Sequence, residues 1–100
     1  MTEPKLDQAL LEPTRLAILA VLAGTEWAEF AFVRDSVDVS DSTLSKRVSA
    51  LAESGYVEVR KGYVGKRPRT WLNLSKAGRA ALSGHIAALQ EIATRAARVD

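Results

Sequence analysis

The 100-residue chain has no cysteine. This excludes a disulfide framework, a thiolate metal site and a cysteine nucleophile, and it makes the cytoplasm the expected compartment. Histidine occurs once, as His85. With neither a cysteine nor a second histidine to complete a site within one chain, no metal and no cofactor is expected. Long apolar runs are missing as well. The longest, Leu16 to Ala23, has eight residues, against roughly 20 for a membrane-crossing helix, so no membrane partner is expected. The start, Met1 to Asp7, lacks the basic stretch, apolar stretch and small-residue cleavage site of an export signal. Motifs of catalysis are also lacking. Gly62-x-x-Gly65-Lys66 has neither the full spacing of a phosphate-binding loop nor a helix to open. There is no nucleophile elbow, and Glu26, Glu29, Asp35 and Asp38 have no cation cluster to organise acid–base chemistry. The chain is not expected to be an enzyme.

What is present is the balance of one ordinary globular domain spanning residues 1–100, 47% apolar and 26% charged. The net charge of +2 hides a segregation. Residues 1–40 carry three Lys/Arg against seven Asp/Glu, whereas residues 41–71 carry seven against three. A basic middle behind an acidic start suits a protein with one anion-facing surface.

The apolar spacing predicts the elements. Leu6, Ala9 and Leu10 imply a short helix ahead of Pro13. Pro13 to Ala23 reads as a buried helix with a left-handed cap at Gly24. Phe30, Val33 and Val37 imply a helix over about Ala28 to Ser36, and Asp38–Val39 a tight turn. Ser40 and Asp41 can cap a further helix with Leu44, Val48 and Leu51 on one face, closed by Gly55. Residues 28–54 are therefore a helix-turn-helix candidate. Beyond Gly55 the period becomes alternating, giving two strands around a basic turn, a wing over 56–74. Ser75 can cap a last helix over 75–98, where Leu82, His85, Leu89, Ile92, Ala96 and Val99 recur at alternating intervals of three and four. The fold class expected is mainly α with a small β-hairpin: a winged helix-turn-helix with a long C-terminal dimerisation helix.

On a helical wheel, Val48 and Leu51 fall within about 40° of Leu44. Ser42, Lys46, Ser49 and Glu53 lie opposite, flanked by Thr43, Ser45 and Arg47. Short hydroxyls can reach base edges or phosphates without filling a groove, and long cations span to phosphate or guanine. The hairpin adds Lys61 at its base and Lys66, Arg67 and Arg69 at its tip, placed to meet backbone or minor groove. Ser42, Thr43, Ser45, Lys46, Arg47, Lys61, Lys66, Arg67 and Arg69 are the candidate DNA-binding residues.

Three groups of residues also carry a resemblance. They are Leu44-Ser45-Lys46-Arg47-Val48 with Leu51, Gly55-Tyr56-Val57 with Lys61, and Gly65-Lys66-Arg67-Pro68-Arg69-Thr70 with Leu74-Ser75-Lys76-Ala77-Gly78-Arg79. In order and spacing, over nearly the whole chain, they resemble the MarR/ArsR-like winged helix transcriptional regulators, in particular a compact subgroup. The resemblance implies a dimer that places its third helix in the major groove with the wing beside it. Val48 and Ser49 lie where such proteins vary widely, so no operator sequence transfers.

The last helix supplies more apolar side chains than one core needs. Leu82, His85, Ile86, Leu89 and Ile92, joined by Leu6 and Leu10, are the expected homodimer interface. Two-fold pairing sets the reading helices roughly 34 Å apart and implies a palindromic duplex. The expected function is sequence-specific double-stranded DNA binding by a dimeric transcriptional regulator. The alternative is a winged helix that grips an acidic protein and does not bind DNA. Trp27 and Trp71 could border an effector pocket or belong to the core, and the sequence names no effector.

Overall fold

The computed structural model describes residues 5–98. Residues 13–23 form α1 (Pro13–Ala23), started by Glu12, whose carboxylate accepts the N–H groups of Thr14 and Arg15 at 2.5 and 3.4 Å. Pro13 sits at the first helical position, where its missing donor costs nothing. Ile18, Leu19 and Leu22 are buried. The helix ends at Gly24 with φ −95°, not in the left-handed cap expected. Its N–H bonds back to Val21 instead, a tightened last turn. Ahead of Pro13 the expected helix is reduced to one 3-10 turn, Gln8–Leu10, capped by Asp7. Glu12, the residue before proline, is held extended, which leaves no room for a longer helix.

Ala28–Glu29 is a two-residue strand, β1, and not the first turn of a helix; α2 begins two residues later than expected, at Phe30, and spans Phe30–Val37. The strand exists because Ala28 and Glu29 pair with Leu72 and Trp71, more than 40 residues away. Asp38 closes α2 in the left-handed region at φ +56°, and Ser40 caps α3 (Asp41–Glu53) by accepting the Thr43 N–H. Gly55, at φ +82°, ends α3: its N–H bonds to Ala52 and that of Tyr56 to Leu51, a Schellman closure that favours glycine at this place.

Strands β2 (Val57–Val64) and β3 (Arg67–Leu74) pair antiparallel from Val57↔Leu74 to Val64↔Arg67, giving the sheet order β1-β3-β2. The loop is therefore two residues, Gly65–Lys66. Gly65 has φ +62° and Lys66 is not among the positive-φ residues, which identifies the type II′ turn that matches the natural twist of a hairpin.

The last helix, α4, spans Lys76–Ala96, capped by Ser75. Gly78 passes so close to the residue that leads into β2 that a Cβ there would lie 2.2 Å from the Tyr56 carbonyl oxygen. Leu82, His85 and Ala88 continue the inward face. Leu10, Ile18, Leu19, Leu22, Val33, Leu44, Leu51, Leu72 and Leu82 meet in one core shared by all the layers. Beyond Ala88 the helix outruns that core, and Ile92 onward is exposed. Val99, the last residue of the expected seam, lies outside the described residues. Among the described residues no helix is long and apolar enough to cross a membrane.

Residues 7–12 strap the N-terminal side to the rest. The Asp7 N–H donates to His85 Nδ1 at 2.9 Å, and the Tyr56 hydroxyl donates to the Asp7 carboxylate at 2.5 Å. Nδ1 as acceptor places the His85 ring proton on Nε2. The hydrogen bond to Asp7, with burial, pushes the Tyr56 hydroxyl pKa up.

Candidate nucleic-acid interface

Helix α3 turns Leu44, Val48 and Leu51 into the core, so its opposite face must look outward. Ser42, Ser45, Lys46 and Ser49 are exposed there. Thr43 is half-buried and belongs to the cap: its hydroxyl oxygen accepts from Ser40 Oγ at 3.0 Å. Acidic charge at the start of α3 is offset by Arg34. Its guanidinium bonds Asp35 at 2.9 Å and Asp41 at 2.8 Å, and these carboxylates raise its pKa.

Arg47 is the largest departure from the wheel. Its Nε donates to Glu12 Oε1 at 2.5 Å, tying α3 to the start of α1. Burial pushes the Glu12 carboxyl up, but Arg47 and the Thr14 and Arg15 N–H groups outweigh it and hold the carboxyl below its ordinary value.

The hairpin register distributes the wing cations over two faces. Val57, Val59, Lys61 and Tyr63 share one face with Leu74, Leu72, Thr70 and Pro68. This is the side that faces α3. Between them lies an open cleft of about 340 Å³ lined by Ser45, Val48, Ser49, Val59, Lys61 and Thr70. Arg60, Arg67 and Arg69 lie on the other face with Trp71. There the Arg60 guanidinium sits 4.0 Å from the centre of the Trp27 ring. Arg69 lies 3.8 Å from Glu29, its Nε buried without a partner. Lys61 thus joins the α3 side, Lys66 and Arg67 occupy the exposed tip, and Arg69, opposite Gly62 and two pairs back from the tip, is drawn towards Glu29. Val59, Thr70 and Arg60 are additions to the expected set. The two-residue Gly65–Lys66 loop, which sets the register, was the signal that could have revealed the first two.

Three of the seven expected dimer residues are enclosed by this chain. Leu10 and Leu82 are in its core, and His85 is 1% exposed with Nδ1 already bonded. A side chain already buried in the monomer has no area left to give a partner. Leu6, Ile86, Leu89 and Ile92, 38–48% exposed, remain as a surface. Leu82 and His85 face inward because the first half of α4 packs against the rest of the chain: Leu82 joins the core and His85 receives the Asp7 N–H ahead of the 3-10 turn. Among the described residues no group of three or more His, Asp or Glu side chains could hold a metal. Trp27 and Trp71 are half-buried at the sheet and frame the Arg60 contact.

Comparison with known proteins follows this geometry. An uncharacterized protein of Methanocaldococcus jannaschii is 32% identical over 72 residues, covering 72% of this chain and 78% of its own. A transcriptional regulator homologue from Pyrococcus horikoshii superposes with a TM-score of 0.84, 22% identity, and coverage of 92% of this chain and 91% of its own. A Lactococcus lactis protein described as a zinc-responsive MarR family member superposes with a TM-score of 0.66 and 19% identity, covering 95% and 64% of the two chains. The fold expected from the MarR/ArsR-like resemblance is thus found. The winged helix DNA-binding domain family matches residues 14–93. With helix α3, a capped turn before it and a basic hairpin beside it, the chain belongs to that winged helix DNA-binding domain family.

Proposed function

We propose that the chain is a homodimeric transcriptional regulator that binds double-stranded DNA sequence-specifically, laying α3 in the major groove and the wing along the neighbouring backbone. The observation that carries this reading is the open cleft in which Ser45 and Ser49 meet Lys61 and Thr70, with Ser42 and Lys46 exposed on the same helix and Lys66 and Arg67 exposed at the wing tip. None of these four cations makes an ion pair among the described residues. Hydroxyls can read base edges, and free ammonium and guanidinium groups can replace the counterions of a duplex.

The homodimer reading rests on α4. Its 21 residues extend about 31 Å; Ile86 is exposed beside its packed half, and Leu89 and Ile92 continue the apolar stripe past the end of the core. A second copy of the same helix is the self-complementary surface that such a stripe fits. Two-fold pairing implies a palindromic site with half-sites roughly 34 Å apart.

Fluorescence anisotropy of a labelled mixed-sequence duplex across a salt series tests the core of the reading. Binding is expected to weaken steeply with salt. Arg67→Ala should weaken all duplexes alike, whereas Ser45→Ala should change the ranking among sequences. Absence of binding at low salt would remove DNA as the partner and leave the acidic-protein alternative.

A further inference from the structure

Resting on the DNA-binding reading above, the geometry points to Glu12 as a positioning residue for DNA. We infer that Glu12 holds the Arg47 guanidinium by Nε so that its two amino groups face a phosphate beside the reading helix. Arginine commonly meets a carboxylate with two parallel N–H groups. Here only Nε bonds Glu12, and the amino nitrogens have no acceptor among the described residues. The other Glu12 oxygen caps α1, so the carboxylate is fixed at both ends and cannot follow Arg47 if the arginine turns away. Arg47 keeps 30% of its side chain exposed and lies at the edge of α3 nearest α1.

The same contact settles what the start of α1 can do. A free helix N-terminus is an anion site. In this chain Glu12 occupies the Thr14 and Arg15 N–H groups, and a phosphate arriving there would meet a carboxylate. The cation that this carboxylate holds is the group left to receive it. Glu12 therefore carries an unfavourable charge close to DNA and offsets it by fixing an arginine that would otherwise move through many rotamers.

Charge and positioning predict opposite signs. Removing a negative charge next to DNA should by itself tighten binding. If Glu12 orients Arg47, Glu12→Gln should weaken binding, about fivefold, although the net charge becomes more favourable. The experiment is anisotropy with the full chain and one labelled duplex, comparing the unmodified protein, Glu12→Gln, Arg47→Ala and the double variant, each checked for an intact thermal transition. Arg47→Ala should lower the salt slope by about 0.9, and in that background Glu12→Gln should no longer weaken binding. A merely structural role would give the same loss in both backgrounds, which overturns the inference. So does tighter binding by Glu12→Gln alone. If the unmodified chain binds with a steep salt dependence but Glu12→Gln does not weaken binding, the DNA-binding reading stands and this inference falls. No binding by the unmodified chain at low salt overturns both.

Discussion

At the scale of single residues, the contacts that matter most are made across long stretches of chain by side chains with a second task. Glu12 caps α1 and holds Arg47. Its folded pKa lies below the ordinary 4.5, so the folded state binds this proton less tightly than the unfolded chain. The stabilisation is therefore complete above about pH 4.5 and is lost as pH falls through the lowered value. Glu12→Gln should cost about 1 kcal/mol at neutral pH, the usual worth of a cap, and flatten the acid limb of stability. Urea titrations at pH 7 and at successive values below 4.5 check both. Gly78 makes a different demand. An alanine there would set its Cβ against the Tyr56 carbonyl at 2.2 Å, and backbone must move. Gly78→Ala should destabilise by about 3 kcal/mol, read as a lowered urea midpoint, whereas Gly84→Ala, with open space around it, should not.

At the scale of elements, the division of α4 into a packed half and a projecting half decides where a substitution is felt. Ile92 is 48% exposed and beyond the core. Ile92→Glu should leave the fold of one chain intact and reduce the proposed dimer to a 10.8 kDa monomer, measured by sedimentation equilibrium; a mass that the substitution does not change would remove α4 as the proposed interface. The boundaries of α1, α3 and the hairpin were legible because local signals set them: Pro13, the Ser40 hydroxyl, Gly55 and a clean change of period at Val57. β1 was not legible. Two residues cannot show an alternation, and Ala28–Glu29 became a strand only because β3 came alongside. The fate of Leu82 and His85 was hidden for a related reason: periodicity shows which residues share a face but not what covers it.

At the scale of the molecule, the described structure is 63 Å long and only 28 and 20 Å in its other two dimensions. Its charge segregation along the sequence became a segregation in space only in part. Among the described residues Lys46, Lys61, Lys66 and Arg67 make no ion pair, whereas Arg34 is drawn to Asp35 and Asp41, Arg47 to Glu12 and Arg69 to Glu29. The candidate interface was therefore readable as a list of cations but not as a map, since pairing depends on contacts such as Glu12 to Arg47 that no spacing reveals. The placement of the two tryptophans has an optical consequence. Both Trp27 and Trp71 stand at the root of the wing, and Arg60 lies over the first of them. Intrinsic emission excited at the indole band will therefore report the wing and not the core. Titration with unlabelled duplex should alter that emission before any unfolding signal is seen by circular dichroism, so the chain carries its own dye in the wing, on the hairpin face turned away from α3.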